Sequence, residues 1–252
     1  MNNNHQDLPA TVMLTVDAGN ISVSTLDLAV AMAASAQTRL HGLFIENEDL
    51  LRAASLPFTR EISLTTARVH QTDFDKMQQA LQTMARQFRD SLEQAALASQ
   101  VPWSFDSVRA STKESRLQTQ PGISYLIVSE STGRRASTKQ YRPLRRILLI
   151  ENQSPHLLHA LKVVLQKFKQ QKVEITAIAS VEDGGEENSA LQQFIKNADQ
   201  AVVMLELPRE QLEKVLSRAG AMFDCAIFSR HEDADSRRLI LDSLRCPMIM
   251  VS

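Results

Sequence analysis

The sequence predicts an α/β protein built from two doubly wound parallel-sheet domains in tandem, and three observations lead there. Both halves open on a short apolar run, Val12 to Val16 (VMLTV) and Ile147 to Ile150 (ILLI). Such a run, bounded by turn residues, suits a strand that helices cover on both faces. Each run ends in an acid, Asp17 or Glu151, and leads through a polar turn into a helix-patterned segment. From there strands and helices alternate with short connections, which implies right-handed crossovers and a parallel sheet. A chain of 252 residues has room for one large α/β domain or two of ordinary size, and the repeated opening favours two. The expected division is a disordered tail over 1–9, a first domain over 10–140 and a second over 141–252.

In the first half, Ser24 to Ala36 carries Leu26, Val30 and Ala33 at helical spacing. Leu40 to Glu46 (LHGLFIE) is rich in strand formers, and Gly42 inside it points to close approach of a neighbouring element. Asn47 is placed to cap a short helix whose early acids, Glu48 and Asp49, suit its dipole, with Pro57 as the stop. From Thr72, with Asp75 at capping-box spacing, Phe74, Met77, Leu81, Met84, Phe88, Leu92 and Ala95 recur at steps of three and four. This predicts one amphipathic helix to about Ser99, with its polar face wet. Trp103 to Val108 reads as a third strand and Ile123 to Val128 (ISYLIV) as a fourth, entered through Pro121-Gly122. Ser111 to Gln120, between them, has too little apolar content for a full helix. Ser129 to Gln140 (SESTGRRASTKQ) is polar and basic, the natural linker.

The second half repeats the alternation more compactly. Strands are expected at Arg146 to Ile150, Val173 to Ala179, Ala201 to Leu205, Phe223 to Ser229 and Met248 to Val251. Helices are expected at Pro155 to Lys169, Ser189 to Asn197, Arg209 to Arg218 and Asp235 to Leu244, with an acidic Gly-Gly loop over Val181 to Glu187. Ligands of such sheets bind beyond the carboxyl ends of the strands, where strand order reverses.

Composition narrows the partners. With 28 basic and 29 acidic residues the formal charge is −1, so no overall field draws the chain to nucleic acid or to an anionic membrane. Cys225 and Cys246 fall in or beside strands and read as buried, reduced thiols. MNNNHQDLP has neither a basic n-region nor an apolar h-region, and no apolar run approaches the roughly 20 residues of a membrane span. A cytoplasmic location is expected.

The opening VMLTVDAGNISVSTLDLAVAMAASAQTRLHGLFIE resembles the start of a universal stress protein domain, and the closing CPMIMVS resembles that family's last strand. EDLLRAASLPFTREISL, with VPWSF beyond the long helix, resembles a subgroup of tandem proteobacterial members. The resemblance covers most of Thr11 to Val128, and the second half through its alternation and last strand. It implies a tandem of five-stranded, adenine-nucleotide-alpha-hydrolase-like domains that bind nucleotide in some members. Those members carry a Gly, two residues, Gly, nine residues, Gly-Ser/Thr motif after strand four, where bare backbone amides close around phosphates. Here Gly133 matches the second glycine, Glu130 stands at the first, and Pro143-Leu144 at the last pair. The matching stretch of the second half, Ser229 to Asp233, has no glycine. The first half also lacks a fifth strand of its own. Asp17 matches the acid that faces the nucleoside in binding members, although an acid there also serves as a turn or cap residue. Asp17 and Gly133 are therefore the candidate ligand-binding residues.

Other constellations in the sequence have plainer readings. ILLIENQ before a helix is similar to a response-regulator receiver, but Glu151 is alone of the usual acid pair and the phosphoacceptor position falls on Glu206 or Leu205. His156 and His159 lie one helical turn apart, without a third metal ligand at any meaningful spacing. His41 reads as a satisfied strand residue rather than a catalytic base, and no nucleophile elbow or triad spacing is present. Arg134, Arg135, Lys139, Arg142, Arg145 and Arg146 read as a solvated linker rather than an anion site. The expected function is a non-enzymatic, stress-related or regulatory role exercised through a protein partner or self-association. No catalytic residue, metal or cofactor is assigned, and ATP is disfavoured. The alternatives are a nucleotide or small-ligand sensor using the strand ends, and a receiver-like adaptor without phosphorylation.

Overall fold

A computed structural model describes residues 11–17, 23–56, 60–62, 69–71, 74–111, 123–128, 144–151, 155–169, 172–180, 194, 201–207, 209–219, 222–229, 234–244 and 246–252. The first half contains β1 (Thr11–Val16), α1 (Val23–Ser35), β2 (Arg39–Asn47), α2 (Glu48–Ala54), β3 (Arg60–Ile62), β4 (Val69–Gln71), α3 (Phe74–Ala98), β5 (Trp103–Ala110) and β6 (Ile123–Val128). The second contains β7 (Arg146–Glu151), α4 (Pro155–Lys167), β8 (Glu174–Ser180), β9 (Ala201–Leu207), α5 (Arg209–Ala219), β10 (Cys225–Ser229), α6 (Ala234–Ser243) and β11 (Met248–Val251). The sequence placed these elements to within a few residues, apart from the β3–β4 hairpin, whose three-residue strands carry no readable period. The expected tail, the linker, the acidic loop and most of the Ser189 to Asn197 helix lie outside the described residues.

Nine strands form one sheet in the order β5-β2-β1-β6-β11-β10-β7-β8-β9. All of its pairings are parallel except β6 with β11. The order β5-β2-β1-β6 in the first half is mirrored by β9-β8-β7-β10 in the second. This differs from two separate five-stranded sheets. The first half supplies four strands to the sheet, and the polar, basic stretch after β6 holds no apolar run from which to make another. β11 occupies that place as well as its own, parallel to β10 on one edge and antiparallel to β6 on the other.

Alternation along each strand divides the apolar residues between two faces. On one face Val12, Leu14 and Val16 of β1 join Leu40 and Phe44 of β2, Tyr125 and Ile127 of β6, and Ile249 and Val251 of β11. That face is covered by α1, α3 and α4. On the other, Met13, Leu43, Ile45, Leu126, Val128, Met248 and Met250 pack with Leu212 and Leu216 of α5 and Ile240 and Leu241 of α6. Both cores thus run across the seam between the halves. α1 touches both α3 and α4, which explains why its apolar residues surround it rather than form one stripe.

Local signals explain the helix ends. The Asn47 side chain accepts from the backbone N–H groups of Asp49 and Leu50, as its capping position requires. α1 and α3 each end with a non-glycine residue at positive φ, Gln37 at 50° and Gln100 at 54°. In both cases the next amide reaches back to close the helix, Thr38 N–H to Ala33 O at 3.0 Å and Val101 N–H to Ala96 O at 2.9 Å.

The buried stripe of α3 is Leu81, Ala85, Phe88, Leu92 and Ala96. The sequence placed Phe74 and Met84 on that stripe, but each is 37% exposed: Phe74 precedes the first buried residue, and Met84, between Leu81 and Ala85, lies at the border of the stripe's seat on the sheet. The seat is Gly42. A Cβ built there would lie 2.5 Å from Leu92 Cδ2 and 3.2 Å from Phe88 Cζ, while Phe88 meets Phe105 edge-on at 5.7 Å. Gly42→Val is therefore expected to lower stability by about 1–3 kcal/mol, the usual cost of overfilling a packed core, as read by the midpoint of urea unfolding. An unchanged midpoint would mean that α3 is not seated on β2.

Candidate functional site

The crevice between β1 and β6 is where strand order reverses in the first half, since β1 connects through α1 toward β2 while β6 lies on its other side. Asp17 follows the last residue of β1 and is only 9% exposed. The register sets Thr15 beside Val128, the last residue of β6. Asp17 therefore stands at the mouth of the crevice, where the sequence placed it. Thr15 is buried there, and its Oγ1 has no hydrogen-bond partner among the described residues. Gly133, the other candidate, lies outside the described residues, as do Glu130 and Pro143. The second reversal falls between β7 and β10, with Glu151 ending one strand and the fully buried Ser229 ending the other.

The receiver-like alternative fails on strand order. In the doubly wound order of a receiver, strands one and three are neighbours. Here β8 lies between β7 and β9, so the strand ending at Glu151 and the strand carrying Leu205 and Glu206 are separated by about 9–10 Å, two strand spacings.

A second polar group was not legible in the sequence. The β2–β5 register sets His41 beside Ser104 and two residue pairs from Asp106. His41 Nδ1 lies 2.9 Å from Ser104 Oγ, and Nε2 lies 3.6 Å from Asp106 Oδ2. His41 was expected to be a satisfied strand residue. Its Nδ1 is hydrogen-bonded, whereas Nε2 is buried without a hydrogen-bond partner among the described residues. Burial pushes the imidazole pKa down, the Asp106 carboxylate opposes that shift, and the Arg39 guanidinium adds to it. The neutral ring can pass or hold a proton between a hydroxyl and a carboxylate, and it ties edge strand β5 to β2. Sixty-three residues separate His41 from Ser104, so only knowledge of the register could have brought them together.

The remaining candidates resolve into packing. His156 and His159 both face Tyr125 of β6, with ring centroids 6.0 and 5.9 Å away. Burial pushes the Tyr125 phenol up. Among the described residues no group of three or more His, Cys, Asp or Glu side chains could hold a metal ion. Arg145 and Arg146 donate their backbone N–H groups to Asp224 Oδ2, each at 2.9 Å, which fixes the start of β7 against β10. The rest of that basic cluster lies outside the described residues. Cys225 and Cys246 are both buried, and burial, with the nearby Asp224, pushes the Cys225 thiol up to about 12. A groove of about 250 Å³ lies where α1, α3 and α4 meet, lined mainly by Ala31, Ala34, Ala95 and Ala98, with Asp27 and Lys167 at its sides. No helix among the described residues is long and apolar enough to cross a membrane.

The fold is thus a mainly parallel α/β sheet flanked by helices, with a buried acid at its first strand-order reversal. No family model and no curated protein matches the chain. Solved structures do. A universal stress protein from Archaeoglobus fulgidus is similar at 12% identity and a TM-score of 0.49, covering 96% of each chain. A putative universal stress protein from Pseudomonas aeruginosa is similar at 12% identity and a TM-score of 0.44, over 97% of this chain and 94% of the other. The cytoplasmic domain of a prokaryotic cation chloride cotransporter is similar at 10% identity and a TM-score of 0.39, over 96% and 95%.

The His41 cluster gives a pH dependence with a definite sign. Its folded pKa lies below the usual value of about 6.5, so the unfolded chain binds the proton first as pH falls. The stability contributed by neutral, buried His41 is complete above pH ~6.5 and is lost as pH drops from there toward the folded pKa. Thermal melts between pH 7 and 5 should show a declining midpoint, less steep in His41→Gln and steeper in Asp106→Asn. Equal slopes in all three chains would remove His41 as the cause.

Proposed function

We propose that the protein is a non-enzymatic, stress-related regulatory protein that acts through protein interaction, on a duplicated universal-stress-protein-like scaffold that has given up its phosphate grip. The stress-related part of this reading rests on the resemblance of Val12 to Glu46 and of Cys246 to Ser252 to that family. The duplication is supported by the mirrored strand order of the two halves.

The observation that carries the loss of nucleotide is the chemistry at the first strand-order reversal. The stretch after β6 supplies Glu130 where the phosphate motif has its first glycine, and Pro143-Leu144 where it has its last pair. Phosphate is gripped by bare backbone N–H groups and positive dipoles, and carboxylates oppose it. The interaction part is supported by apolar side chains left in water. Leu50, Leu56, Phe74, Met84 and Leu97, on or beside α2 and α3, are 37–63% exposed. An alternative reading, a sensor of a small ligand that needs no phosphate grip, is favoured by Asp17 alone.

Mass spectrometry of small molecules released from the purified, denatured protein tests this choice. The expected result is no adenine nucleotide near one per chain, and no thermal stabilisation on adding ATP with magnesium. Near-unit nucleotide, lost on Asp17→Ala, would establish the sensor reading instead.

A further inference from the structure

The sheet ends in two edges that differ in character. At one end β5 carries Asp106, which faces His41, and Arg109, which is ion-paired to Glu46 at 3.3 Å. Charges on an edge strand oppose the addition of a further strand. At the other end β9 (AVVMLEL) has no proline or glycine, and its one charge, Glu206, stands next to its last residue. Among the described residues β9 pairs only with β8.

The pattern of exposure on β9 shows what kind of neighbour fits. The register puts Val203 beside Thr176 and Met204 beside Ala177, so the two project from opposite faces of the sheet. They are nonetheless 43% and 39% exposed. A helix laid on the sheet would cover one and leave the other wet. A strand added in the plane flanks both at once.

We propose that β9 is an assembly edge, pairing antiparallel with β9 of a second copy of this chain about a two-fold axis through Val203. Such an axis, perpendicular to the sheet, sets opposite each other residues that project from the same face, so it must pass through a residue rather than between two. Centred on Val203, the pairs are Val203 with Val203, Val202 with Met204, and Ala201 with Leu205. Each of these pairs is apolar, and Glu206, the one charge of β9, falls beyond the paired segment. The same segment is thus its own complement, which an edge built for a different partner has no need to be. A strand pairing of this length is smaller than the ~1,200 Å² of a stable interface, so the dimer dissociates on dilution. The inference deepens and rests on the interaction reading, but it fails separately: nucleotide content does not bear on it, and the oligomeric state does not bear on nucleotide.

Sedimentation equilibrium of the full chain over a wide concentration range is the test. The wild type should move from monomer to dimer with rising concentration. Val203→Lys and Val203→Glu should each remain monomeric where the wild type is dimeric, because each opposes like charges at the axis. Mixed in equal amounts, the two variants should form a heterodimer, a rescue that only the Val203–Val203 register provides and that an unfolded chain cannot give. Met222→Lys, a change at a residue 54% exposed outside β9, should leave the dimer intact. A wild type monomeric throughout, a dimer indifferent to both charged variants, or a mixture that stays monomeric would each overturn the proposal.

Discussion

The structure depends on one four-residue strand with two partners. A strand buried in a sheet must find hydrogen-bond partners on both edges, since an unpaired backbone group away from water costs about 1–3 kcal/mol. β11 meets that demand with Ala226 to Ser229 on one side and Tyr125 to Val128 on the other. Its side chains, Met248, Ile249, Met250 and Val251, are at most 2% exposed. At about 1.5–3 kcal/mol for each fully buried apolar side chain, they contribute roughly 6–12 kcal/mol as an upper estimate. That is comparable to the whole net stability of a typical domain, about 5–15 kcal/mol. Ser252 extends the anchorage: its N–H donates to Ser124 O at 3.1 Å and its hydroxyl to Ile123 O at 3.0 Å.

Because the strand is shared, the halves contribute unequally to the structure. The first half presents the longer helix, the buried acid of its crevice and a charged outer edge. The second half supplies the closing strand and an outer edge, β9, that is apolar from Ala201 to Leu205. Each face of the sheet carries one core that crosses the seam, so a disturbance at β11 reaches β6 and the β1 crevice beside it through direct packing.

Much of this was legible in the sequence, and what was missed shares a cause. VMLTV, LHGLFIE, ISYLIV and MIMV were readable as strands because burial on both faces leaves an uninterrupted apolar run. Gly42 was readable as a close approach because a strand interior otherwise disfavours glycine. Asp17 was readable as the acid of the crevice because strand ends and turn residues are local features. The double role of β11 was not, since nothing in Met248 to Val251 records that its second edge pairs with a strand more than a hundred residues away. His41, Ser104 and Asp106 were missed for the same reason: a register is a long-range choice, and it decides which polar groups meet. The apolar pattern of α3 overstated its buried face because Phe74 precedes the first buried residue of the stripe and Met84 lies at its border.

Trp103, the only tryptophan, lies in β5 at the far side of the first half from β11. Urea unfolding of Ile249→Ala, followed by Trp103 fluorescence, therefore tests most directly whether the closing strand holds both halves in one cooperative unit. Removing a buried isoleucine side chain costs about 2–5 kcal/mol, and Ile249 is fully buried between Ile127 and Ile227. The shared-strand account predicts that the Trp103 midpoint falls together with the far-ultraviolet circular dichroism midpoint. A Trp103 midpoint that stays at its wild-type value while the dichroism transition splits would show that the first half folds without β11, and would contradict the account.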